Sequence, residues 1–258
     1  MMGVIFIGDR FSGKTHLAME LSNPSSKFVT ASVIGRSYEN LKALLYDESS
    51  GGTKPTDINP ATYNRNSRSM NVQVTLPMIG NRSIDVDWID TPGEIWRPSW
   101  QTDNPSEWQS FLAKMRDSEG IMLILSPYRE QLKPESEEDE YITKKQWMKR
   151  FENWVNFFQK ECPNVKRVAI CLNKVDLILD CDVGRESAQL AYDPYQSRMT
   201  WQQRHGYVVS RYLRPIQPQL EQINHGLIGG SICCFITTVH NRTLLELPWI
   251  YLASYLAV

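Results

Sequence analysis

Gly8-Asp9-Arg10-Phe11-Ser12-Gly13-Lys14-Thr15 stands between the apolar run Gly3-Val4-Ile5-Phe6-Ile7 and a segment, Thr15 to Leu21, whose apolar residues recur at helical spacing. The preceding run suits a strand buried on both faces of a parallel sheet. The following segment reads as a helix that stops at Asn23-Pro24. A strand, a turn with glycine near each end and a helix opening on Lys-Thr make a cradle for anions. The glycines let the backbone curl so that several N–H groups face inward, and the helix start adds its positive end. The Lys14 ammonium can span two adjacent phosphates, and the Thr15 hydroxyl is a small neutral ligand suited to Mg²⁺. Gly-x-x-x-x-Gly-Lys-Thr is the phosphate-loop spacing, here in the strand–loop–helix context it demands. Each residue from Gly8 to Thr15 is therefore a candidate phosphate contact. Arg10 reads equally as a phosphate contact and as an exposed side chain. His16, next on the helix, borders the site or packs structurally.

Further along, Trp88-Ile89-Asp90-Thr91-Pro92-Gly93 places an aspartate where a strand ends and a glycine three residues on. Ligands of such sheets gather at the carboxyl ends of the strands, so Asp90 is placed to hold Mg²⁺ through a water. The Gly93 N–H can meet a terminal phosphate, and glycine permits a hinge when that phosphate leaves. Lys14 and Gly93 are thus the candidates for acting on the reacting phosphate.

Asn173-Lys174-Val175-Asp176 follows another buried strand, Arg167 to Leu172. The Asp176 carboxylate can accept two hydrogen bonds, from guanine N1–H and its 2-amino group. Adenine offers no matching donors and would leave a carboxylate unpaired, which is costly. Asn173 can tie this loop to the phosphate loop or meet N7, and the Lys174 stem can lie over the base.

These three motifs, in this order, resemble the Ras-like branch (TRAFAC class) of the P-loop GTPases, whose Walker A loop is the Gly8–Thr15 pattern. The resemblance runs from about Gly3 to Val258. It implies an α/β, three-layer P-loop NTPase fold with a mostly parallel central sheet and one antiparallel edge strand. It also implies a GTP-hydrolysing molecular switch using GTP/GDP and Mg²⁺ and answering to a protein effector or regulator. In the family a backbone N–H after the last strand meets the guanine oxygen. Phe235-Ile236-Thr237-Thr238-Val239-His240-Asn241 resembles that segment, with Val239, His240 and Asn241 in place of the usual small, small, lysine triplet. The family also places a Mg²⁺-binding threonine in its first switch loop. Thr53, Thr56 and Thr62 are available, and Thr62 lies closest to the following strand, with Thr56 next. Where the family carries a water-orienting glutamine this chain has Glu94, which opens a second reading as a hydrolysis-deficient nucleotide-binding scaffold. A P-loop ATPase or small-molecule kinase is the third reading, against which Asp176 argues. The chain is also similar to bacterial GTPases of multi-component regulatory or conflict systems.

The remaining pattern predicts a single domain over 1–258 with insertions near 28–68, 127–139 and 177–203. Phe28 to Tyr46 reads as partly helical and Ser49 to Arg68 as a long loop. Met70 to Pro77 and Ile84 to Ile89 read as a hairpin. Glu94 to Asn104 reads as a loop, followed by a helix capped by Ser106. Gly120 to Leu125 and Ser231 to Thr238 are further strands. The acidic run Glu135 to Glu140 reads as a solvated helix start. The stripe Trp147, Phe151, Trp154, Phe158 in that helix reads as core packing. Leu177 to Tyr195 reads as irregular and Trp201 to Asn224 as helical with a break near Pro215 and Pro218. Pro248 to Val258 reads as a final helix with Pro248 in its first turn.

With 258 residues, 41% apolar and 22% charged, the composition is that of a soluble globular protein. A formal charge of −1 supplies no excess of Lys and Arg to draw nucleic acid or acidic lipid. The five cysteines lack zinc-like spacing and read as buried free thiols of a reducing, cytoplasmic setting. No signal peptide, lipidation signal or membrane anchor is evident in the sequence.

Overall fold

The computed structural model describes residues 3–9, 12–23, 28–33, 39, 42, 46–47, 52–53, 67–76, 80–89, 98–134, 136, 140–196, 198–227 and 229–256. Among these, the strands are β1 (Val4–Gly8), β2 (Val29–Val33), β3 (Tyr46–Asp47), β4 (Gly52–Thr53), β5 (Ser67–Leu76), β6 (Gly80–Ile89), β7 (Gly120–Leu125), β8 (Arg167–Leu172) and β9 (Ser231–Ile236). The helices are α1 (Lys14–Leu21), α2 (Pro98–Asp103), α3 (Pro105–Asp117), α4 (Lys144–Glu161), α5 (Val183–Leu190), α6 (Trp201–Val208), α7 (Gln217–Gly226) and α8 (Arg242–Leu256).

Seven strands form one sheet in the order β2-β5-β6-β1-β7-β8-β9, and β3 pairs with β4 in a separate short ribbon. From β6 to β9 all neighbours are parallel, while β5 runs antiparallel to both β6 and β2. The sheet is thus mostly parallel, as expected, with its antiparallel strand near one edge. Every residue of β1 and β7 is buried, because these strands carry helices on both faces. One face is covered by α8, whose Trp249 ring lies 6.1 Å from Phe6 and whose Tyr251 ring lies 5.6 Å from Phe235. The other carries α4, with Trp147, Phe151, Trp154 and Phe158 all buried, and α3 beside it through the Phe111–Phe157 stack at 6.2 Å. The aromatic stripe is core, each ring contributing roughly 1.5–3 kcal/mol by leaving water. Toward β2 the pattern changes to alternation: Met70, Val72, Val74, Ile84 and Val86 are buried, whereas Gln73, Thr75, Ser83 and Asp85 are exposed. This part of the sheet has one wet face.

Several expectations are corrected. Phe28 to Tyr46 is not helical at its start: Val29–Val33 forms β2, with Val29 and Ala31 buried and Thr30 and Ser32 exposed. Part of the expected long loop is strand, since Gly52–Thr53 pairs with Tyr46–Asp47 and β5 begins at Ser67. The expected loop to Asn104 contains α2, and the next helix takes Asn104 at its N-cap with Pro105 in its first turn, not Ser106. Helix α4 starts after the acidic run, at Thr143, whose hydroxyl accepts from the Gln146 N–H in a capping box. The irregular stretch from Leu177 contains α5, capped by the Asp182 side chain. The last helix starts at Arg242, so Pro248 lies inside it and cannot donate to the Leu244 carbonyl. The break near Pro215 stands as expected, a π-turn segment at Val209–Leu213 and a 3₁₀ turn at Arg214–Ile216 separating α6 from α7.

All five cysteines are buried and unbridged. No helix among the described residues is long and apolar enough to cross a membrane.

The β9 edge is closed by side chains. The Ile232 N–H donates to Asn224 Oδ1 at 3.0 Å and the Cys234 N–H to His205 Nδ1 at 3.2 Å. Such caps satisfy amides that would otherwise offer a template for another strand. His205 must be neutral at Nδ1 to accept, and burial holds its pKa below the ordinary 6.5. A depressed folded pKa means stability fully present above pH 6.5 and lost as pH falls through the folded value. Melting temperatures between pH 7.5 and 5 should therefore fall more steeply for the native protein than for His205→Asn, which keeps an acceptor but does not titrate. The difference should be about 1 kcal/mol, the net value of one hydrogen bond. Parallel curves would exclude this role for His205.

Candidate functional site

The parallel register sets the carboxyl ends of β1, β7, β8 and β9 side by side: Gly8 pairs with Ile124, Leu125 with Leu172, and Leu172 with Ile236. The loops that follow β1, β8 and β9 therefore rise from one rim. They hold the three segments that the sequence singles out.

The Gly8–Thr15 loop, the candidate phosphate loop, is built by close approach. A Cβ on Gly8 would run into the Ile124 carbonyl oxygen, so the strand end admits no side chain. Gly13 lies in the left-handed region, φ 81°, at the N-cap of α1, and a Cβ there would meet Asn173 Nδ2 at 2.5 Å. Ser12 is fully buried and its hydroxyl donates to the Asp9 carbonyl at 2.8 Å. Lys14, only 5% exposed, curls back over the loop and donates to the carbonyls of Gly8 at 3.0 Å and Asp9 at 2.8 Å. Thr15 is buried beside it at the start of α1. Arg10 and Phe11 lie outside the described residues.

Asn173 joins the loops. Its Nδ2 donates to the Ser12 carbonyl at 2.8 Å, and its Oδ1 accepts from the Thr237 hydroxyl at 3.2 Å. Of the two roles open to it, the tie to the phosphate loop is formed. Lys174 takes a left-handed conformation, φ 58°. Its Nζ donates to the Tyr141 hydroxyl at 3.1 Å and lies 5.2 Å from that ring's centroid. The Asp176 carboxylate accepts from the Thr238 hydroxyl at 2.5 Å, and its other oxygen lies 4.0 Å from His240 Nε2. The Asp176 carbonyl accepts from Lys133 Nζ at 2.6 Å. After β9, the His240 N–H donates to Thr238 Oγ1 at 3.2 Å, leaving its ring largely exposed. Val239 is partly buried against the core. Asn241 accepts from the Leu244 N–H at 3.1 Å and so opens α8.

Asp9 and His16, at this rim, are perturbed. Burial pushes the Asp9 carboxyl above its usual range, opposed by Arg150 and Lys14. Burial lowers His16; Glu20 acts against this, while His240 and Lys174 reinforce it. His16 thus faces the same cluster of charge as the loops after β8 and β9.

The structure brings together Gly8, Asp9, Ser12, Gly13, Lys14, Thr15, His16, Asn173, Lys174, Asp176, Val239 and His240 around one rim. The metal and switch candidates Thr62, Thr56, Asp90 and Gly93, with Glu94, lie outside the described residues, and the side chain of Thr53 is not described. The backbone that delivers Asp90 is described: β6 ends at Ile89 and runs parallel to β1, Trp88 opposite Phe6. Sequence reading missed Thr238, Lys133, Tyr141 and Arg150 as site residues. Thr238 could have been found as a hydroxyl just past a strand end. The other three come from segments distant in the chain and carry no local signal.

No protein-family model matches the chain, and no curated protein matches it. Among solved structures, its backbone is similar to a nucleolar GTP-binding protein 1 from Plasmodium falciparum. That structure is 13% identical, with 97% of this chain and 83% of that chain covered and a TM-score of 0.44. It is also similar to the signal recognition particle receptor SRb-GTP/SRX complex from Chaetomium thermophilum. There the identity is 13%, the coverage 97% of each chain and the TM-score 0.43.

Proposed function

We propose that this protein binds guanine nucleotide with Mg²⁺ and hydrolyses GTP to GDP and phosphate as a molecular switch. The observation that carries the reading is the three-way tie at Asn173. It fastens the phosphate loop, through Ser12, to the loop bearing Asp176 and to Thr237 after β9. A phosphate cradle and a carboxylate aimed at a base are useful together only if their spacing is fixed, as this tie fixes it.

In this reading the N–H groups of residues 13–15 and the start of α1 hold the phosphates. Lys14 exchanges its bonds to the Gly8 and Asp9 carbonyls for phosphate oxygens. Asp176 accepts from guanine N1–H and the 2-amino group, its orientation held by Thr238, while Lys174, propped by Tyr141, walls the base. The backbone near Val239 and His240 meets the guanine oxygen. The described residues offer Thr15 as one hard oxygen ligand for Mg²⁺, and Asp90 and Thr62 are its proposed companions. The ion, when bound, would offset charge on the phosphates. In hydrolysis a water oxygen bonds to the γ-phosphorus as the bond to the β–γ bridging oxygen breaks. Lys14 and the Gly93 N–H stabilise the transferred group. Glu94 stands where a neutral water-orienting residue would serve better, so turnover is slow without a partner. The setting we propose is cytoplasmic, with a protein effector or regulator.

The test is competition for the purified protein among GDP, GTP and ATP, with phosphate release followed in the presence of Mg²⁺. Guanine nucleotides should outcompete ATP by about a hundredfold or more, since ATP leaves Asp176 unpaired. Equal competition by ATP would sink the base assignment. Tight GTP binding with no turnover, alone or with a partner, would favour the scaffold reading that Glu94 suggests.

A further inference from the structure

Asp9 is a costly residue to place under a phosphate cradle. It is 8% exposed, and its carbonyl is already committed to Lys14 Nζ and the Ser12 hydroxyl. A carboxylate at this position repels the charge the loop exists to bind. The partner that answers it comes from α4: Arg150 Nη1 lies 3.7 Å from Asp9 Oδ2. The turn carrying Arg150 is well anchored. One turn earlier the Trp147 indole N–H donates to the Ser126 carbonyl at 2.9 Å, and the adjacent Phe151 is 1% exposed. The guanidinium therefore approaches Asp9 from a fixed base while its own side chain stays 45% exposed.

We propose that Arg150 is a positioning residue of the phosphate site, cancelling the Asp9 charge beneath the cradle and holding the loop against α4. This rests on the guanine-nucleotide reading. Without Arg150, a nucleotide would either meet a buried negative charge or require Asp9 to take up a proton. The penalty grows with phosphate charge, so GTP suffers more than GDP. A purely structural role for Arg150 would weaken both alike.

The experiment is a double-mutant cycle on the full chain, read as equilibrium affinity for GDP and GTP, with melting curves without nucleotide to report folding. Arg150→Ala should weaken GTP binding roughly tenfold and GDP less, as expected when the buried Asp9 carboxylate loses its half-exposed partner. Arg150→Lys, which keeps the charge, should retain most of the affinity. Asp9→Asn alone should tighten GTP by a few-fold because Arg150 is then left facing the phosphates. Asp9→Asn in the Arg150→Ala background should recover most of the loss. If Arg150→Ala binds GTP as the native protein does, or Asp9→Asn weakens binding and restores nothing, the proposal is overturned while the nucleotide reading stands. If the native protein binds neither GDP nor GTP, both fall.

Discussion

Replacing Lys14 with alanine is expected to lower affinity for both GDP and GTP by at least thirtyfold. Truncating one partner of a buried, hydrogen-bonded charge contact costs about 2–5 kcal/mol, which corresponds to roughly thirtyfold to several-thousandfold in affinity. Lys14 is nearly inaccessible, so its truncation removes a buried charge. The fold should survive, because the bonds removed are to the Gly8 and Asp9 carbonyls within the loop rather than to the core. Equilibrium binding of a fluorescent GDP analogue, with a melting curve beside it, measures both. Affinity within threefold of the native protein would show that the Gly8–Thr15 loop is not the phosphate site.

The second large effect concerns the base. Asp176→Asn should cost GTP about a hundredfold, because a carboxylate accepting two donors is replaced by an amide that presents a donor to one of them. Each hydrogen bond to a charged group is worth about 1.5–3 kcal/mol. The variant should gain affinity for xanthosine triphosphate, whose 2-oxo group accepts what the guanine amino group donates. The side chain's other contact is compatible with the change: Thr238 donates to Oδ1, which an asparagine retains. Unchanged GTP affinity, or equal loss for both bases, would remove Asp176 from base recognition.

Much of this site was legible because its parts are local. The Gly8–Thr15 loop and the Asn173-to-Asp176 loop, which the structure brings to one rim, each announce themselves within eight residues, at the carboxyl end of an apolar strand. The central strands were legible for the same reason: strands buried on both faces are continuous apolar runs. The features that escaped are non-local or short. Strand β2 alternates over only five residues inside a stretch of mixed pattern, and it becomes a strand by pairing with β5. Helix α5 has eight residues and begins Val183-Gly184, with Asp182 as its start signal. Pro248 misled because proline normally marks a helix start, whereas here tertiary burial outweighs its missing donor; Leu247, Pro248 and Trp249 are all buried. Lys133, Tyr141 and Arg150 could not be assigned from sequence, since nothing near them in the chain says that they meet Asp176, Lys174 and Asp9.

Arg242, at the start of α8, donates to the carbonyls of Glu20 at 2.5 Å and Leu21 at 3.0 Å, the last turn of α1, while its Nε is held by the buried Glu246 at 2.6 Å. With Asn173 reaching Ser12 across 161 positions and Arg242 reaching Glu20 across 222, the Gly8–Thr15 loop and the helix behind it are held by partners made much later in synthesis. Contacts of such long sequence separation form slowly. A nascent chain that stops before α8 therefore carries the Gly8–Thr15 sequence without the Arg242 clasp on the helix that follows it.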